Sequence, residues 1–165
     1  MRKTMLLAVA LLLFTACSKD DPTPTEPAWL TEAKALLVGT WYGEKYSETF
    51  NTTEAEKIKF EPSATSHKEV SLFGTFEAYG VAYMTEYLNG DPWGYSYTDG
   101  EIRCYYSLDW DYGEDCVVVS FYEINDDNEV INKADKRELR PVNSTEFVMR
   151  PYGTGEGLNM TYNKQ

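Results

Sequence analysis

From Val38 to its end, the chain alternates polar residues with β-branched or aromatic ones, the period of a β-strand with one buried face. Clusters of turn-forming residues interrupt the alternation at short intervals. The pattern predicts an all-β domain of about eight to ten strands. Predicted strands cover residues 38–47, 57–60, 80–88, 115–124, 136–140, 145–150 and 157–163, and one more carries Val70, Leu72, Phe76 and Ala78 on a single face.

Two local signals refine this pattern. Apolar residues at 29, 30, 33, 36 and 37 follow helical spacing just after Pro27, which predicts one short helix before the strands. Asp99-Gly100 supplies the two positive-φ positions of a type I′ turn, which predicts a tight hairpin over residues 95–104.

So many antiparallel strands in one short domain must either stack as a sandwich or close as a barrel. Closure removes the exposed sheet edges that promote aggregation, and short meander links suit it. We therefore predict an up-and-down antiparallel β-barrel.

The entry to the first strand, Leu37-Val38-Gly39-Thr40-Trp41, resembles the Leu-x-Gly-x-Trp entry of bacterial lipocalin-like domains of the calycin type. The resemblance covers residues 36–165 and makes Gly39 and Trp41 the expected barrel-closing motif. It implies a barrel with a ligand-holding cavity. It also implies that an arginine near the last strand, for which Arg150 is the candidate, lies against the Trp41 ring.

The amino terminus constrains where the chain resides. Arg2 and Lys3 precede an apolar run over residues 5–14, and small residues lead to Cys17. The arrangement resembles a bacterial lipoprotein signal peptide, which implies removal of residues 1–16 and lipidation of Cys17. The membrane would then be a partner through the lipid anchor. The alternative is an ordinary secreted protein in which Cys17 is a spare thiol.

Residues 17–27 are expected to form a Pro-rich tether between the lipid and a barrel domain over residues 28–165. Ser18-Lys19-Asp20-Asp21 resembles the acidic signal that sends some Gram-negative lipoproteins to the cell surface. The expected location is therefore the outer membrane, facing outward. A plain solvated tether is the alternative.

The composition argues against several functions. The formal net charge is −12 and no cluster of Lys or Arg occurs, so nucleic acid is not an expected partner. His67 is the only histidine, no nucleophile motif surrounds it, and we expect it in a turn. No enzyme activity, metal site or cofactor is expected.

Cys104 and Cys116 remain as an even pair in an oxidising compartment. They would face each other if the hairpin loop between them were Asp109–Gly113, and we predict a disulfide on that basis. Two buried free thiols are the alternative.

Two binding hypotheses follow from the aromatic residues. In the first, the barrel holds a small hydrophobic or amphipathic ligand in its interior. The candidate ligand-binding residues are Tyr83, Tyr87, Trp93, Tyr95 and Tyr97. In the second, exposed rings such as Trp93 and Trp110 form a stacking platform for a glycan or a protein.

Overall fold

The computed structural model describes residues 26–93, 100–154 and 159–165. One helix and nine strands follow each other along the chain. They are α1 (Ala28–Leu37), β1 (Gly39–Ser47), β2 (Thr52–Ser71), β3 (Gly74–Leu88), β4 (Asp91–Pro92), β5 (Glu101–Asp111), β6 (Cys116–Ile124), β7 (Val130–Asn143), β8 (Glu146–Pro151) and β9 (Met160–Lys164).

Eight strands close into an antiparallel barrel. β1 to β3 and β5 to β9 pair in chain order, and β1 pairs with β9 to complete the ring. The two-residue β4 is an additional pairing on β3. The predicted all-β, up-and-down, lipocalin-like barrel is thereby confirmed.

The barrel has two different ends. At one, which we call the closed end, α1 leads into β1 and the turn over residues 112–115 joins β5 to β6. At the other, which we call the mouth, the turns over residues 48–51 and 125–129 connect their strands. The pairing register fixes this assignment, because antiparallel strands alternate between the two ends.

Helix α1 lies at the closed end, within the predicted range. The Pro27 carbonyl accepts hydrogen bonds from the backbone N–H groups of Leu30 and Thr31 at 3.0 and 3.2 Å, which opens the first turn. Leu30, Ala33 and Leu37 are buried in the same core as the barrel interior. Helix and barrel thus share one hydrophobic core, and no helix in the described residues is long and apolar enough to cross a bilayer.

Trp41 is the centre of the closed end. Its side chain is fully buried, its Nε1–H donates to the Leu37 carbonyl at 3.0 Å, and its ring centroid lies 4.4 Å from that of Phe147. The cation against the ring is Lys164, whose Nζ lies 5.2 Å from the centroid. The expectation for Arg150 was wrong, because Arg150 Nε donates to buried Glu138 at 2.5 Å instead.

β2 and β3 are longer than the sequence indicated. His67 lies within β2, and the chain turns at Leu72 and Phe73, so Val70 and Phe76 belong to different strands. The predicted turn at His67 was therefore wrong. Pro62 is tolerated because the register shifts between Pro62 and His67, which leaves the ladder irregular there.

The extended hairpin of β2 and β3 covers the outer face of β5 and β6. Phe76 stacks on Tyr122 with ring centroids 3.6 Å apart, and the His67 ring lies 5.2 Å from that of Tyr105. This cover explains why β6 is buried on both faces, a pattern that the alternation rule does not anticipate.

The predicted Asp99-Gly100 turn falls only partly within the structure. Gly100 has φ +80°, as a tight turn requires, and β5 begins at the next residue. The strand predicted before it falls in residues 94–99, outside the described residues.

The predicted disulfide was wrong. Cys116 pairs with Asp111 and Cys104 with Glu123, so the two cysteines lie seven positions apart along neighbouring strands. At about 3.3 Å per residue, that distance is far beyond the reach of a disulfide. Both are free and buried.

We expect peptide mass spectrometry to find Cys104 and Cys116 fully alkylated after denaturation without reductant. Under native conditions labelling should be slow, since burial and the nearby Glu123 raise the pKa of the Cys104 thiol to about 12 and the thiolate is the reactive form. The same experiment with reductant is the control. A Cys104–Cys116 cross-linked peptide would contradict the register of β5 and β6.

Candidate functional site: the mouth of the barrel

A cavity of about 290 Å³ opens at the mouth. Below it, large side chains such as Phe60, Tyr106 and Phe121 fill the barrel interior. The deep apolar chamber that the first binding hypothesis assumed is therefore occupied by the protein itself. Space for a ligand is confined to the upper layer.

A buried ion pair forms the floor of this cavity. The guanidinium of Arg137, on β7, bonds both carboxylate oxygens of Glu56, on β2, with the Nη2–Oε1 distance 2.9 Å. The hydroxyl of Tyr162, on β9, donates to Glu56 and accepts from Arg137 Nη1 at 3.1 Å. Three strands thus hold one hydrogen-bonded unit across the barrel.

Asp135 completes the surroundings of Arg137 by accepting from Nε. Four of the five guanidinium N–H donors are therefore used within the protein. Burial opposes the positive charge, but the Glu56 carboxylate outweighs it and raises the pKa of Arg137 well above its ordinary value. Burial and Glu56 likewise raise the pKa of Tyr162, so its hydroxyl keeps its proton.

Glu86, on β3, lines the same cavity above this unit. Within the described part of the chain, no side chain donates a hydrogen bond to its carboxylate. Burial raises the pKa of Glu86, and the negative charge of Glu56 adds to the effect, while Arg137 opposes it. Glu86 is thus a half-buried carboxylate whose charge is only partly balanced.

The inward charges come from the same alternation that builds the barrel. Glu56 precedes the inward Ile58 and Phe60 on β2, and Arg137 precedes the inward Leu139 on β7. A charge at an inward position near a strand end was the signal that sequence reasoning missed.

The structure separates the aromatic candidates. Tyr87 and Trp93 line the mouth cavity. Tyr83 alternates with buried Ala82 and Met84, so it lies on the outer face of β3, 5.6 Å from Lys59 Nζ. Tyr95, Tyr97 and Cys17 lie outside the described residues.

A second space, about 770 Å³, lies between α1 and the turns at the closed end. Trp29 and Trp110 line it with ring centroids 5.6 Å apart. Trp110 is therefore packed against the helix and lies at the opposite end from Trp93. The two rings do not form the single exposed platform of the second hypothesis.

The remaining candidates for chemistry lie away from the mouth. His67 Nε2 is 2.8 Å from Glu69 on the outer hairpin. Asp111 accepts backbone hydrogen bonds from Gly113 and Glu114, so it shapes the β5–β6 turn. Among the described residues, no three metal-ligating side chains come together.

Comparison of the chain with protein-family models, with curated proteins and with solved structures finds no match in any of the three. What defines the class is the strand pairing itself. A closed eight-stranded meander is consistent with the calycin type suggested by Leu37–Trp41.

Proposed function

We propose that this chain is a lipid-anchored envelope protein whose barrel binds a small amphipathic molecule at its mouth without chemical conversion. The observation that carries the proposal is a mouth cavity with polar and apolar walls above an otherwise filled barrel. Ligand sites commonly combine apolar walls with a few fixed polar groups.

The apolar part of the site comes from Met149 on β8 and Met160 on β9, with Trp93 at the rim. Thioether side chains are unbranched and flexible, and they adapt to ligands of different outline. The polar part comes from the Arg137–Glu56–Tyr162 unit, which is hydrogen-bonded within the protein and is therefore fixed before a ligand arrives.

The anchor part of the proposal depends on Cys17, in the lipobox-like sequence. A single acyl chain binds membranes only weakly, whereas the several chains of a bacterial lipoprotein cysteine hold the protein firmly. The acidic residues after Cys17 support an address on the cell surface of a Gram-negative bacterium.

Mass spectrometry of the full chain purified from a Gram-negative host tests both parts. Under denaturing conditions, we expect a chain that starts at Cys17 and carries several acyl groups. Under native conditions, a fraction should carry an additional noncovalent small molecule.

The matched variants are Cys17→Ser and Cys116→Ser. The first should lose the acyl groups and fractionate away from membranes, while the second should keep them. An unmodified Cys17 would overturn the anchor, and a ligand-free native mass in every preparation would overturn the binding role.

A further inference from the structure

We propose that the mouth cavity selects a small organic cation, an amine with an apolar body, with Glu86 as the carboxylate that pairs with the ammonium group. This inference rests on the binding role proposed above. It adds the sign of the ligand's charge, which the fold alone does not determine.

The balance of charge in the cavity favours a cation. Four carboxylates line it, those of Glu54, Glu56, Glu86 and Asp135, against the cations Lys45, Arg137 and Arg150. Arg150 is engaged by Glu138, a residue on the outer face of β7. The lining therefore carries an excess of negative charge.

Arg137 does not change this balance in favour of an anion. A carboxylate ligand would need free guanidinium donors, and Arg137 already bonds Glu56, Asp135 and Tyr162. Such a ligand would also bring a further negative charge against Glu86 at short range, which is unfavourable where water is partly excluded.

Glu86 offers what an ammonium group requires. Its carboxylate faces the cavity and has no hydrogen-bond donor among the described residues, whereas Glu56 is fully engaged by Arg137 and Tyr162. An ammonium group bound there would supply both hydrogen bonds and the missing positive charge.

The walls determine the rest of the ligand. Met149 and Met160 offer apolar surface beside the carboxylates, and the cavity of about 290 Å³ is at the small end of ligand sites. A single aromatic ring or a short alkyl chain on the amine fits these limits.

Calorimetric titration of the chain from Ser18 to Gln165, which contains the whole shared core, tests the proposal. The probes are 2-phenylethylamine, 2-phenylethanol and 3-phenylpropanoate, which share an apolar body and differ in charge. We expect the amine to bind about tenfold more tightly than the alcohol, since one charge-assisted hydrogen bond separates them, and the carboxylate to bind most weakly.

Glu86→Gln should remove this preference by weakening amine binding about tenfold while leaving the alcohol unchanged. Glu32→Gln, on the exposed face of α1 at the closed end, makes the same charge change and should alter neither. Equal affinity for amine and alcohol, or tighter binding of the carboxylate, would overturn the cation proposal and leave the binding role intact. Binding of none of the three probes would overturn both.

Discussion

Replacing Arg137 by methionine should lower the free energy of unfolding by about 3–5 kcal/mol, as measured by urea denaturation. The side chain is nearly buried and bonds Glu56, Asp135 and Tyr162. Without it, the Glu56 carboxylate stays in the barrel interior with no opposite charge.

The double variant Arg137→Met, Glu56→Met is the control. Removing both charges leaves apolar side chains in the same layer, and replacement of a whole buried ion pair is often neutral or stabilising. The double variant should therefore recover most of the lost stability. If the single variant were as stable as the double variant, the ion pair would not be buried as described.

Trp41→Ala should lower the free energy of unfolding by about 3–5 kcal/mol, measured in the same way. The indole is fully buried between α1 and β8, packs on Phe147 and donates to the Leu37 carbonyl. Truncation opens a void and leaves that carbonyl without its donor.

Trp93→Ala is the matched control, because the Trp93 side chain is 54% exposed at the mouth. Exposed substitutions of this kind change stability by about 0.5 kcal/mol or less. Trp41→Phe should fall between the two, since it keeps a ring against Phe147 but loses the hydrogen bond. Equal effects of Trp41→Ala and Trp93→Ala would contradict the placement of Trp41 in the core.

The barrel could be predicted because its signals are local. Alternation identifies each strand from its own residues, and short links leave a meander as the simplest topology. The helix over Ala28–Leu37 was equally readable from its spacing. Only the joining of β1 to β9 required closure to be inferred, from the disadvantage of open edges.

The hairpin of β5 and β6 was placed wrongly because β6 gives no clear alternation. Its inward Val119 and Phe121 are flanked by Val118 and Tyr122, which the outer hairpin buries. With both faces apolar, register cannot be read from the strand itself. The turn formers of 109–113 then suggested a centre that the actual register does not have.

The site could not be predicted for a different reason. Glu56 and Arg137 are 81 residues apart in sequence, and nothing local indicates that β2 and β7 face each other across a barrel. The aromatic pattern drew attention to the outer face of β3, where Tyr83 lies. Charges at inward positions were the more informative signal.

The most direct test of a ligand site at the mouth is a ¹H–¹⁵N NMR titration of the chain from Ser18 to Gln165 with 2-phenylethylamine. We predict that the largest saturable shifts fall on the backbone amides of Glu56, Glu86, Arg137 and Tyr162. Shifts confined to α1 and Trp110, or no saturable shifts, would contradict this account.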